Sequence, residues 1–253
     1  MSTKTHEFTN QGWDEYAEIY DTLCQLRPYT KLLQRLVGGL NPNNEDSILD
    51  AGCGTANLLS ALRAQVKNAQ LRGIDTSDVM LKHANKKYPR LALKLSKANL
   101  DTTLPFGDET FTKLACSNAL YAVEDPAHTL LELHRILKKG GSLVLTTPKK
   151  GYENGLILKA HAQSPKPDSY WEGAHSSPER ESLLIREAID DIPLQEAMLK
   201  VAAYNREIVN TSKFHFFTSC GLQQLVLNAG FTITTTDTCY ADQSLFIIAQ
   251  KEK

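Results

Sequence analysis

The chain has 253 residues, 42% hydrophobic and 23% charged, and 28 basic against 29 acidic side chains leave a net charge of -1. These values exclude a collagen, a disulfide-stapled mini-protein and a disordered chain, and they argue against a long basic face for nucleic acid. No run of about 18 apolar residues could form a transmembrane helix. The five scattered cysteines (Cys24, Cys53, Cys116, Cys220, Cys239) lack the paired spacing of a zinc site or disulfide framework. The polar stretch Met1 to Asn10 has no signal-peptide core. A cytoplasmic protein without metal is expected.

In chain order, Trp13 to Val37 reads as a helix, with Tyr16, Ile19, Tyr20 and Leu23 at three- and four-residue spacing, stopped by Gly38-Gly39. Ile48-Leu49-Asp50 is a short strand and Leu58 to Val66 a helix. Leu71 to Asp75 is a second strand, and Val79 to Lys87 a helix ended by Tyr88-Pro89. Leu91 to Lys97 and Phe111 to Ser117 read as strands three and four. Pro126 opens a helix through Leu137, closed by Gly140-Gly141, and Leu143 to Thr147 is the fifth strand. Residues 151–178 show no strong period, and 179–210 read as two helices, the second with Leu194, Met198, Val201, Tyr204 and Ile208 on one face. Ser219 to Asn228 is a last helix before strands Phe231 to Thr238 and Ser244 to Ala249, expected to pair antiparallel. Alternating strands and helices imply a parallel sheet covered on both faces. The middle segment is expected to cover the sheet's carboxyl edge, where open α/β sheets bind ligands.

The most informative stretch is Asp50-Ala51-Gly52-Cys53-Gly54-Thr55-Ala56-Asn57. Glycines let the backbone turn sharply and approach a ligand, and the helix that follows offers free N–H groups. A plain strand-to-helix turn would look similar. A P-loop is disfavoured because the Gly-Lys-Ser/Thr ending is missing, and the glycine spacing weakens a dinucleotide site. Asp75, in Gly73-Ile74-Asp75-Thr76-Ser77 at the end of the second strand, can accept both ribose hydroxyls of a nucleoside or can cap the next helix.

These two blocks resemble the class I S-adenosylmethionine-dependent methyltransferases, in particular the type 11 small-molecule group. So do Asn99-Leu100 with Leu104-Pro105-Phe106, the loop Asn118 to Pro126, the turn Arg135 to Gly141, and Phe217 to Phe231. The resemblance covers about 45–150 and 214–250. It implies a doubly wound, mostly parallel α/β sheet of seven strands in the order 3-2-1-4-5-7-6. It further implies an N-terminal helical cap (1–40), a cofactor-binding core (41–150), a helical lid insertion forming the acceptor pocket (151–213) and a core return (214–253).

By position, the resemblance places Asp50, Gly52 and Gly54 at the methionine part of S-adenosylmethionine, whose product is S-adenosylhomocysteine, with Cys53 and Asn57 also among the cofactor contacts. Asp75 takes the ribose, Thr76, Met80, Asn99 and Leu100 the adenine, and Ser117 and Asn118 the sulfur end, with Tyr20 folded over the cofactor. Two departures stand out: Ala56 replaces the third glycine of the first motif, and Asn99 replaces an acid.

In-line displacement of a methyl group from a sulfonium needs alignment and water exclusion more than a dedicated catalytic side chain. His215 and Tyr121 are the candidate catalytic residues, and Tyr16, Tyr121, Trp171, His175 and His215 the candidate acceptor contacts. Packing roles are open for each. The acceptor is expected to be a small organic molecule attacking through O, N or C, with the protein a monomer or homodimer. Alternatives are a non-catalytic S-adenosylmethionine-binding module, a protein or RNA methyltransferase, and a nicotinamide-dependent oxidoreductase.

Overall fold

The computed structural model describes residues 10–211 and 213–252; the expectations for the first nine residues, for residue 212 and for the Ile208 side chain lie outside the described residues. The expected first helix is broken in two: α1 is Asn10–Tyr20 and α2 is Arg27–Leu40, with a short 3-10 turn at Leu23–Gln25 between them. Pro28 is the physical reason. Mid-helix, its ring would clash with a carbonyl one turn back and forfeit a hydrogen bond, costing about 3 kcal/mol, whereas in a first turn it costs little. Leu26 is therefore extended (φ -76°, ψ 136°), and its buried side chain joins a helical core that includes Ile157, Trp171 and Leu184. Gly38 and Gly39 do not stop α2, which ends at Asn41 in the left-handed region (φ 43°). Gly39 serves close packing instead: a Cβ there would stand 3.0 Å from the Phe246 ring.

Among the described residues seven strands form one sheet: β1 (Ser47–Ala51), β2 (Gln70–Asp75), β3 (Lys94–Lys97), β4 (Phe111–Ser117), β5 (Leu137–Pro148), β6 (Phe231–Cys239) and β7 (Ser244–Lys251), in the order 3-2-1-4-5-7-6. β1 pairs parallel with β2 and β4, β2 with β3, and β4 with β5, while β7 runs antiparallel to β5 and β6. The strand side-chain alternation sorts the core. Ile48, Ala115, Val144 and Phe246 face α2, α3 (Asn57–Gln65) and α4 (Asp78–Lys87). Leu49, Leu114, Leu145 and Ile247 face α5 (Pro126–Ile136) and α10 (Ser219–Asn228). β3 begins later than expected because Ala92 takes a positive φ (50°). β5 begins earlier, since the chain leaves α5 at Leu137 and runs through Gly140-Gly141 as strand.

Between β5 and α10 the chain folds into α6 (Asn154–Ala162), α7 (Asp168–Trp171), α8 (Pro178–Ala188) and α9 (Ile192–Thr211), around a core that includes Trp171, Leu184 and Ile185. α6 lies in the stretch without a clear period. It is held on more than one side: Ile157 and Leu158 enter the helical core, and Gly155 lies so close to α7 that a Cβ would be 1.7 Å from the Trp171 carbonyl oxygen. No described helix is long and apolar enough to cross a membrane.

Candidate active site

The glycine turn is built by backbone. Gly52 and Cys53 both donate their N–H to the Ile74 carbonyl at 2.9 Å, tying the end of β1 to the end of β2. Gly52 (φ 78°), Gly54 (φ 51°) and Ala56 (φ 63°) all take left-handed conformations. A Cβ on Gly52 would lie 2.4 Å from the Ala119 Cβ, and Gly54 packs against the Tyr20 ring. Ala56 explains what a third glycine would relieve: an L-residue in this region costs about 1–2 kcal/mol.

Two carboxylates flank this corner, Asp50 buried and Asp75 half-buried. Asp75 Oδ2 accepts the Gly54 N–H at 2.8 Å and Oδ1 the Ser77 N–H at 3.0 Å. Burial raises its pKa, and those N–H donors oppose the rise. The cap of α4 is Ser77, whose hydroxyl accepts the Met80 N–H, so Asp75 is not occupied as the helix cap. A carboxylate offers about four acceptor positions, which leaves room for a diol. Asp50 is 2% exposed, and its Oδ1 has no hydrogen-bond partner. Burial, then the nearby Asp75 charge, pushes its pKa up to about 7. An orphaned buried oxygen of this kind is costly unless a donor or cation completes it.

A chamber of about 370 Å³ opens outside the carboxyl ends of β1, β2 and β4. Gly52, Gly54, Asp75, Thr76 and Met80 form one part of its wall; Asn99, Leu100, Ser117 and Asn118 form the other, and Tyr20 joins them from α1. Asn99 Oδ1 accepts the Asp101 N–H at 3.0 Å, so the amide that replaces an acid is partly spent on its own loop. Asp50, Cys53 and Asn57 do not line the chamber; Asp50 lies just behind its glycine corner, at the end of β1. The Cys53 thiol lies under Gly73, where a Cβ would be 2.7 Å away. The Asn57 amide bonds Asp21 and Cys24, and its oxygen accepts from Lys87 at 2.7 Å and Tyr88 at 2.8 Å. That cluster anchors the turn between α1 and α2 and the glycine turn to the end of α4.

A second chamber, of about 210 Å³ and largely aromatic, adjoins the first, and Trp13, Tyr20 and Asn118 line both. α1 reaches this position through Asp14, which accepts from the Ser77 hydroxyl at 2.6 Å. Asn118 is left-handed (φ 49°), and its Oδ1 accepts from Thr146 at 3.3 Å and Ser244 at 3.5 Å. Tyr16 and Tyr121 line the second chamber. Burial raises both phenol pKa values well above the ordinary value, so these hydroxyls stay protonated and act as donors rather than bases.

The structure does not bring Trp171, His175 or His215 to either chamber. Trp171 is fully buried in the helical core. His175 is exposed and lies edge-on to Tyr152. His215 stacks on Phe217, and its backbone N–H, not its ring, reaches the site by donating to the Tyr121 carbonyl at 2.8 Å. Residues passed over in the sequence do line the walls: Trp13, Tyr152, Asn154, Glu181, Asn205 and Tyr240. Trp13 carried a signal, being one turn ahead of Tyr16 on a shared helix face. Glu181 carried none, since Pro178-Glu179-Arg180-Glu181 reads as an ordinary charged helix start.

Residues 49–145 match the family described as "Methyltransferase domain", type 11. Over this stretch the chain is similar to S-adenosylmethionine-dependent methyltransferases. A demethylmenaquinone methyltransferase from Chlorobaculum parvum is 30% identical over 158 residues, 58% of this chain and 63% of that protein; the chain thus matches under two thirds of that relative's length. Solved structures with this fold include the [4+2]-cyclase SpnF (TM-score 0.64, 13% identity, 96% of this chain and 95% of that one). Another is geranyl diphosphate C-methyltransferase from Streptomyces coelicolor, crystallised with S-adenosylhomocysteine (TM-score 0.57, 13% identity, 88% and 79%). The family cofactor fits the residues present: the orphaned Asp50 oxygen, the glycine corner without side chains and the Asp75 carboxylate suit an ammonium, a close-lying nucleoside and a ribose diol.

Proposed function

We propose that this methyltransferase alkylates an O, N or C atom of a small, largely apolar, ring-bearing organic acceptor. The observation that carries this reading is the pair of adjoining chambers, one polar and glycine-cornered, one aromatic, that meet at Trp13, Tyr20 and Asn118. S-adenosylmethionine, when bound, supplies a methyl group on a sulfonium leaving group. Asp75 would hold the ribose hydroxyls, Asp50 the ammonium, and Thr76, Met80, Asn99 and Leu100 the adenine. Ser117 and Asn118 border the place where the chambers join. Tyr16, Tyr20, Tyr121 and Trp13 orient the acceptor and exclude water, which is the larger share of what such a displacement requires. Demethylmenaquinone, named for the relatives, is an acceptor of this ring-bearing kind.

Of the described residues, those within 151–213 act in this reading as a lid that builds the acceptor chamber, those within 1–40 as a cap over both chambers, and those within 41–150 and 214–253 as the cofactor core. Both chambers draw on one chain, which suits a monomer or a homodimer with independent sites. The five free cysteines suit a reducing, cytoplasmic setting. Calorimetry with S-adenosylhomocysteine, followed by incubation with methyl-labelled cofactor and a metabolite extract, tests the reading. Binding and one labelled small-molecule product are expected. Cofactor binding without any product would leave a non-catalytic binding module, and absence of binding would remove the basis of the proposal.

A further inference from the structure

The acceptor chamber is not uniformly apolar. Its described lining includes one carboxyl, Glu181, and no Lys, Arg or His. Glu181 is 3% exposed and stands in the part of the wall that the cofactor chamber does not share. Arg206, which does not line the chamber, pairs with its Oε2 from behind, and the Asn154 side chain donates to the same carboxylate. Three polar groups, Tyr152, Asn154 and Asn205, stand with it in the wall, and Asn205 hydrogen-bonds Tyr16. Burying a carboxylate inside an aromatic chamber is expensive, and its pair with Arg206 only offsets that cost. An apolar residue of similar size would close the wall with less strain on the fold, so the carboxylate's remaining lone pairs are better explained by a ligand.

Resting on the reading of this cavity as the acceptor site, we propose that Glu181 selects the acceptor: it accepts a hydrogen bond from an O–H or N–H group borne on an apolar ring system, away from the methylated atom, and rejects anionic acceptors. The geometry supports an asymmetric ligand. One end meets Trp13, Tyr20 and Asn118, where the methyl group arrives. Glu181 and Asn154 line the part of the wall that the cofactor chamber does not share. A carboxylate or phosphate there would face a buried like charge with no cation in the wall to answer it, since Arg206 is already spent on Glu181.

A size-matched set of probes tests this: 2-(1-naphthyl)ethanol, 2-(1-naphthyl)ethylamine and 1-naphthylacetate, titrated calorimetrically into the full chain with and without saturating S-adenosylhomocysteine. The alcohol and the amine are expected to bind about tenfold or more tighter than the acetate, the size of effect a charge-assisted hydrogen bond gives. In Glu181→Gln the amine is expected to lose its advantage over the acetate. The double variant Glu181→Gln/Arg206→Gln, which replaces the ion pair by an amide pair, keeps the test open should the single variant not fold. Equal or tighter binding of the acetate to the unaltered protein, binding of none of the three, or a preference that survives in a folded variant would each overturn the proposal. S-adenosylhomocysteine titrated alone reports separately on the cofactor reading, because the probes can enter the acceptor chamber without it.

Discussion

The two chambers are made in opposite ways. The cofactor chamber is lined mostly by residues between 52 and 124, many with short side chains near the ends of β1, β2 and β4, with Trp13 and Tyr20 added from α1. The acceptor chamber is mostly large side chains from α1, the start of α2, α6, α8, α9 and the β6–β7 turn, elements spread over more than 200 residues. The first kind of site needs particular residues at fixed spacing, because only glycine fits a left-handed turn beside a neighbour and only an acid clasps a diol. The second needs only bulk and polarity in the right place, which many sequences supply. In the proposed reading a nucleoside cofactor is held by a fixed geometry of turns, while the acceptor pocket takes its shape from the helices that wall it.

The sharpest way to break this contrast is a pair of small substitutions, one in each region. Gly155→Ala puts a Cβ 1.7 Å from the Trp171 carbonyl oxygen, a backbone clash that forces α6 and α7 apart. It is expected to cost about 3 kcal/mol or more, seen as a lower Tm and altered Trp171 fluorescence, and to abolish acceptor turnover. Cofactor affinity should survive at permissive temperature; its loss would mean that the helical region also shapes the cofactor chamber. Gly52→Ala is the counterpart. Its Cβ meets Ala119 at 2.4 Å from a backbone at φ 78°, and calorimetry should register a drop in S-adenosylhomocysteine affinity of about 100-fold or more. Retained affinity would contradict the close approach of ligand to the glycine corner.

Asp75→Ala sharpens the comparison on the polar side. Removing two charge-assisted bonds to a ribose should weaken cofactor binding about 100-fold with the circular dichroism unchanged; near-normal affinity would assign Asp75 to the Gly54 and Ser77 N–H groups alone. Asp50 gives a pH signature. Its folded-state pKa is raised to about 7, so the carboxyl keeps its proton below that pH and is a carboxylate above it. A cationic ammonium prefers the carboxylate. S-adenosylhomocysteine affinity should thus fall by up to about tenfold per pH unit as pH drops below 7, level off above 8, and lose this dependence in Asp50→Asn. A flat profile in the unaltered protein would place the ammonium elsewhere. The smallest effect is expected from Asn99→Asp, where restoring an acid beside the adenine should tighten binding only about threefold, because the loop bond to Asp101 already claims one acceptor.

The sequence was most legible where local chemistry and long-range packing agree. Asp50 to Asn57 could be read as a ligand turn because glycine, acid and helix start are each demanded by backbone geometry, and Gly52, Gly54 and Asp75 do meet at one wall. Cys53 and Asn57 sit in the same motif yet turn away, since successive residues of a turn point in different directions and only coordinates tell which. Gly38-Gly39 misled because a glycine signals both a helix stop and a tight contact. His215 and His175 misled because histidine chemistry is visible in a sequence while its access to a cavity is not.

By itself, the sequence determined the alternating strands and helices, the glycine corner and the acid that ends β2, all properties set by dihedral freedom and side-chain periodicity over a few residues. Only the tertiary structure decided that Pro28 splits the first helix, that Asp50 keeps an unanswered oxygen, and that Glu181 is the carboxyl of an aromatic chamber. Burial and the company a charged group keeps are set by elements far apart in the chain, and no local pattern encodes them.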